Sequence, residues 1–155
     1  MDRQYKGLDY PLPYADRIFT CQSENGLPVI PSGVVEYDST YGISHLPSGS
    51  GGSPLVITVD GACRGNGTGS AEASYSIFYG RNSPYNTCGR LPSRIKWTSQ
   101  AAELFAAKKA IKFARERRNF HSRTEIKEVI IQTDSEYVVN CLSIRHSNGT
   151  IAGFI

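Results

Sequence analysis

Three carboxylates stand out by their setting. Asp60 closes the apolar part of "LVITVDGACRGNG" (Leu55 to Gly67), Asp134 closes that of "VIIQTDSEYVV" (Val129 to Val139), and Glu103 lies inside "SQAAELFAAKKAIKFARERR" (Ser99 to Arg118). Taken singly, each has an ordinary reading. A strand-terminal aspartate before glycine is usual turn chemistry, and a glutamate in the first turn of a helix, where Glu103 is expected, complements the helix dipole. Taken together they imply more, because two strands each deliver a carboxylate to one end of a sheet. On a helical wheel Glu103 shares a face with Ala107, Ala110 and Ala114, close beside Leu104 and Ile111, the stripe that should meet that sheet. Carboxylates crowded in this way repel one another and do not all stay ionised without a cation between them. Mg²⁺, held by a few carboxylates with waters and phosphates, is the natural remedy. Two such ions ~3.5–4 Å apart stabilise the attacking and leaving oxygens of a phosphodiester. On this reading the glycines after Asp60 leave space for a nucleic-acid backbone.

The elements that must position these residues follow from local pattern. Leu55 to Val59 is rich in β-branched residues and bounded by Pro54 and Gly61, which predicts a strand ending at Asp60. Glu72 to Tyr79 alternates as a second strand, and Thr87 to Leu91 is a short third, making an antiparallel meander. Ser99 to Arg118 is the clearest helix, Ala-rich, with Ser99 or Thr98 as N-cap and a cationic last turn. A strand from Glu128 to Thr133 and a helix beginning at Ser135 complete the order β-β-β-α-β-α, a mixed α/β sheet with helices packed on it. Residues 1–53 hold five of the eight prolines and seven glycines, show no sustained period and end in "LPSGSGGS", just before Pro54. They read as an irregular acidic extension with a flexible linker, and residues 54–155 as the domain proper.

Composition narrows the classes. With 39% hydrophobic and 20% charged residues in 155, the chain has an ordinary globular composition. No apolar run is long enough to cross a bilayer, and the first residues carry no secretory or organellar signal, so an intracellular place, nucleus or cytoplasm, is expected. Cys21, Cys63, Cys88 and Cys141 form no C-x-x-C pair, which argues against a zinc site or disulfide framework. Residues 1–53 contain three basic and six acidic residues, the remainder fourteen basic and eight acidic. A basic body favours a polyanionic partner. No feature demands an obligate protein partner.

The segments "TVDGACRGNG", "TSQAAELFAAKKAI" and "IQTDSEYVVN", in this order and spacing, resemble type 1 ribonuclease H, the nuclease that cuts the RNA strand of an RNA–DNA hybrid. The resemblance covers Leu55 to Leu142. It implies a ribonuclease H-like fold, two Mg²⁺ ions with Mn²⁺ as the alternative, and Asp60, Glu103 and Asp134 as three of the four metal-binding carboxylates. It also implies that Asn66 and Gly67 touch RNA 2′-OH groups and that Gln100, with Ser99 in place of the family's asparagine, reads the hybrid minor groove. Lys96, Thr98 and Asn140 fall where the family binds a DNA-strand phosphate, with lysine in place of arginine keeping the charge but losing the bidentate fork. Transposases and integrases share the carboxylate scheme but not these details.

Several features keep simpler readings. The stripe Lys108, Lys112, Arg115 is a solvated helix face. His45, His121 and His146 are scattered, the sequon at Asn148 to Thr150 means little without a secretory signal, and Trp97 could pack or line the substrate surface. After Ser143 the resemblance implies a fifth strand, a last helix and a fourth carboxylate where this sequence reads "IRHSNGTIAGFI". The expectation is therefore a domain incomplete at its C-terminus, with the edge of the 128–133 strand unpaired. Removing one electrostatic stabiliser would cost a rate factor on the order of 10² or more. The alternative is a catalytically inactive remnant that at most binds nucleic acid.

Overall fold

The structure, a computed structural model, describes residues 34–47, 53–116, 128–143 and 152–154. Cys21, Arg117 and Arg118 at the end of the expected helix, the Gly/Ser linker, His121, His146 and the Asn148 sequon lie outside the described residues. The elements are β1 (Glu36–Asp38), β2 (Ile43–His45), β3 (Leu55–Arg64), β4 (Glu72–Phe78), β5 (Thr87–Arg90), α1 (Ser99–Glu116), β6 (Val129–Gln132), α2 (Glu136–Ser143) and β7 (Ala152–Phe154). From Leu55 to Ser143 the expected order holds. The strands β3, β4 and β5 form an antiparallel meander, and β6 runs parallel to β3 on its other edge.

The central strand is sealed on both faces over its first half. Leu55, Ile57 and Val59 pack on one face against Ala106, Ala107, Ala110 and Ala114 of α1, joined by Val129 and Ile131 of β6. Val56 and Ile130 meet Val34 and Leu46 on the other. Parallel strands buried on both sides read as unbroken β-branched runs, which is why "VIIQ" and "LVIT" lack alternation. Alanines on the sheet-facing stripe of α1 let the helix axis come close. Tyr79, Tyr85 and Phe113 fill the space beside the last turns of α1, with Tyr79 and Phe113 ring centroids 4.8 Å apart and Tyr85 and Phe113 5.3 Å apart. Among the described residues no helix is long and apolar enough to cross a membrane.

Four expectations are corrected. Residues 36–45 are not irregular: β1 and β2 form a hairpin, and β2 pairs antiparallel with β3 through Ser44↔Val56 and His45↔Leu55. Three-residue strands are too short to print a period of two, so their pairing is invisible to pattern. The strand carrying Asp60 does not stop there but continues to Arg64, paired with β4 along the whole extension. The far edge of β6 is not bare, because β7 pairs with it in parallel from Val129↔Ala152 to Ile131↔Phe154. Glu103 lies in the second turn of α1 and not the first, which removes the dipole as the reason for an acid there.

Candidate metal centre

The parallel register of β3 and β6 decides where the two aspartates go. Thr58 is level with Gln132, the last residue of β6. Two steps further on, Asp60 and Asp134 therefore stand at the same height, one still on a strand and the other just past the end of its own. The Thr58 hydroxyl donates to Gln132 Oε1 at 3.0 Å and ties the two strands together two residues before them. Asp134 sits in a capped turn: the Ser135 backbone N–H donates to Thr133 Oγ1 at 3.1 Å, and Ser135 Oγ accepts from the Val138 N–H at 3.3 Å. Capping of this kind starts α2 and fixes the aspartate between a buried threonine and a helix N-terminus.

The third carboxylate arrives through a backbone contact that only glycine permits. A Cβ on Gly61 would lie 2.2 Å from Glu103 N and 2.5 Å from the Ala102 carbonyl carbon. The second turn of α1 thus rests directly on β3. Thr98 is the residue that caps α1, its Oγ1 accepting from the Ala101 N–H at 3.1 Å. Hence Gly61 serves the helix, not the nucleic acid for which the glycines after Asp60 were expected to leave space. Gly67 fits that expectation better, with φ of +82° and nothing within 4 Å of where its Cβ would be.

These constraints bring Asp60, Glu103 and Asp134 together, with one carboxylate oxygen from each all within 4.8 Å of one another. Glu103 is only 8% exposed, whereas both aspartates open to solvent. Burial raises the Glu103 pKa above the ordinary glutamate value, a hydrogen bond from the Gly61 backbone opposes this, and the charges of Asp60 and Asp134 raise it further. Its Oε2 is buried without a hydrogen-bond partner. An orphaned carboxylate oxygen facing two more carboxylates has the donor chemistry of a hard divalent cation site. The residues fit such an ion.

The other expected contact residues are placed around the segments that build this centre. Asn66 and Gly67 are exposed in the turn after β3, which Thr68 closes by donating from its hydroxyl to the Gly65 carbonyl at 2.7 Å. Lys96 and Gln100 are exposed and Thr98 and Ser99 half-buried at the start of α1, and Asn140 is exposed on α2. Trp97 takes the packing role: its Nε1 donates to the Pro92 carbonyl at 3.3 Å, it joins the cluster of Ala73, Leu91 and Ala102, and the Arg90 guanidinium sits 5.6 Å over its ring. Lys112 pairs with Glu116 at 3.6 Å, as a solvated face would. Sequence reasoning missed Gly61 as a contact residue and Thr58, Gln132 and Thr133 as supports. The signal available for the first was an Asp-Gly pair inside an otherwise continuous strand pattern.

Ribonuclease H1 of Rattus norvegicus is 35% identical over 89 residues, covering 57% of this chain and 28% of the relative. The Mus musculus and Homo sapiens proteins of the same name are 34% identical over the same length and coverage. The chain thus spans little more than a quarter of these relatives. A solved structure, LC11-RNase H1 in complex with RNA/DNA hybrid, aligns with a TM-score of 0.40 and 18% identity over 64% of this chain and 83% of that one. The RNase H family model matches residues 53–151, which takes in β3 to α2 and all three carboxylates. With well over half its length matched by that model, the chain belongs to the RNase H family.

Proposed function

We propose that this chain is a metal-dependent endonuclease that hydrolyses the RNA strand of RNA–DNA hybrids. The observation that carries the proposal is the meeting of Asp60, Asp134 and the buried, half-orphaned Glu103 carboxylate within 4.8 Å. Family membership and relatives named Ribonuclease H1 support the choice of substrate. Asp60, Glu103 and Asp134 would hold divalent cations, Mg²⁺ or Mn²⁺. Bound there, such ions neutralise the phosphodiester and lower the pKa of water at the scissile phosphate.

The chain's own residues supply position and selectivity. The two aspartates, one within β3 and one just past the end of β6, present oxygens toward solvent where a phosphate can approach, while Glu103 closes the site from behind. Asn66 and the open backbone at Gly67 are suited to 2′-OH groups, the feature that separates RNA from DNA. Gln100 and Ser99, opening α1, face the minor groove. Lys96 contributes charge to a DNA-strand phosphate, with Thr98 and Asn140 as neutral donors. The Thr98 oxygen already accepts from Ala101, which leaves its proton free to be donated.

Cleavage of an end-labelled RNA–DNA hybrid tests this directly. Metal-dependent cutting of the RNA strand by the wild type, lost in Asp60→Asn and Glu103→Gln, is the expected result. Hybrid binding without metal-dependent cutting would instead identify an inactive, binding-only member of the family.

A further inference from the structure

The match to the RNase H family begins at residue 53, yet the hairpin before it is built into the strands that carry the carboxylates. Its tight turn is locally fixed: Asp38 Oδ1 accepts from the Thr40 N–H at 2.8 Å and the Tyr41 N–H at 3.3 Å, and the Gly42 N–H donates to the Asp38 carbonyl at 2.8 Å. The Leu46 N–H donates to the Pro54 carbonyl at 3.1 Å, so the hairpin continues the hydrogen-bonding of β3. On the far side, Ser83 Oγ donates to the Gly42 carbonyl, and Tyr37 lies against Gly80, where a Cβ would meet its ring at 2.2 Å. The hairpin is thus pinned to the loop after β4 as well as to β3.

What the hairpin covers is specific. Val34 and Leu46 bury Val56 and Ile130, which face each other in the β3–β6 register. Those two residues stand four positions before Asp60 and Asp134 respectively. The opposite face of the same strand pair is filled by α1, which also delivers Glu103. Parallel strands are stably placed only when both faces are covered, and metal ligands must be held to within ~0.5 Å by packed neighbours.

We infer that residues 34–47 are a positioning element of the metal centre: Val34 and Leu46 clamp Val56 and Ile130 against α1 and thereby set the separation of Asp60 and Asp134. This rests on the metal-binding reading of the three carboxylates. Without that clamp the two strand ends gain freedom, and the cation loses affinity before the fold is lost.

The test uses the full-length chain with Mn²⁺ alone as the probe, followed by water-proton relaxation, which reads bound ion without turnover. Leu46→Ala should weaken Mn²⁺ binding by about three- to tenfold, at or below the range seen when groups supporting metal ligands are removed. Leu46→Met should restore it. Ala114→Gly, which destabilises the remote end of α1, should lower the melting temperature and leave Mn²⁺ affinity unchanged. Wild-type affinity in folded Leu46→Ala, or equal weakening in Ala114→Gly, would overturn the inference. Should Leu46→Ala fail to fold, Val34→Ala carries the same measurement with the same criteria. Absence of Mn²⁺ binding in the wild type would overturn the metal-centre reading itself, a result plainly different from the other two.

Discussion

Leu55, Ile57 and Val59, on the first half of β3, are at most 2% exposed, whereas Asp60, Ala62 and Arg64 on the second half open to solvent. One continuous strand thus serves two purposes. Its first half is gripped by α1, β6 and the 34–47 hairpin and has its polar backbone groups paired on both edges. Its second half has β4 on one edge and, on the other, the space beyond Gln132 where Asp134 stands. The difference teaches that the carboxylates are crowded because the packed half is rigid. Repulsion that would spread them in a looser structure is resisted by buried apolar contacts a few residues away.

Substitutions in the two halves should separate stability from chemistry. Ile57→Ala, at a fully buried position, should cost about 2–5 kcal/mol in denaturant unfolding, the largest stability effect of this series. Asp60→Asn, three residues on, should leave that unfolding curve in place while RNA-strand cleavage falls by a factor on the order of 10²–10³. Gly61→Ala sharpens the comparison by crossing it. Although it lies in the open half, its Cβ must push back the α1 backbone, so it should cost about 1–3 kcal/mol and weaken metal binding as well.

Smaller effects follow from Glu103. Its folded-state pKa is raised, chiefly by burial and then by the two aspartates, so the folded protein holds that proton more tightly than the unfolded chain does. The associated stability is fully present below the unfolded value and is lost as pH rises through the folded one. Metal-free protein should therefore lose melting temperature as pH is raised above the ordinary carboxylate range, and a divalent cation should reverse part of the loss. Glu103→Gln should flatten that decline and melt higher than the wild type at neutral pH while losing cleavage. Glu128, whose pKa burial also raises, accounts for the slope that remains. The smallest effect is expected where β4 begins and β5 ends, at the exposed pair of Glu72 and Arg90. Glu72→Gln should change unfolding free energy by no more than about 0.5 kcal/mol.

The site was legible to the extent that its residues announce themselves by being out of place. An acid on the sheet-facing stripe of a helix and acids closing two apolar strands are local anomalies, visible without coordinates, and the same motifs carried the family resemblance that the RNase H match bears out. The supports were not legible. Thr58 and Gln132 are 74 residues apart and mean nothing until the register pairs them. The hairpin at 34–47 was hidden by the shortness of its strands and by the glycine and proline of the wider stretch 1–53 in which it lies. The pairing of β7 with β6 was hidden too, since three residues with no alternation carry no signature.

Sequence alone determined the element order from Leu55 to α2 and the identity of the three carboxylates, because hydrophobic period, caps and residue type act over a few neighbouring positions. Tertiary structure alone decided that β3 passes through Asp60 to Arg64, that Gly61 exists for a helix and not a turn, and that the hairpin of β1 and β2 is joined to β3. Each of these depends on backbone surfaces meeting across long chain separations, where excluded volume and strand register, not local preference, set the outcome.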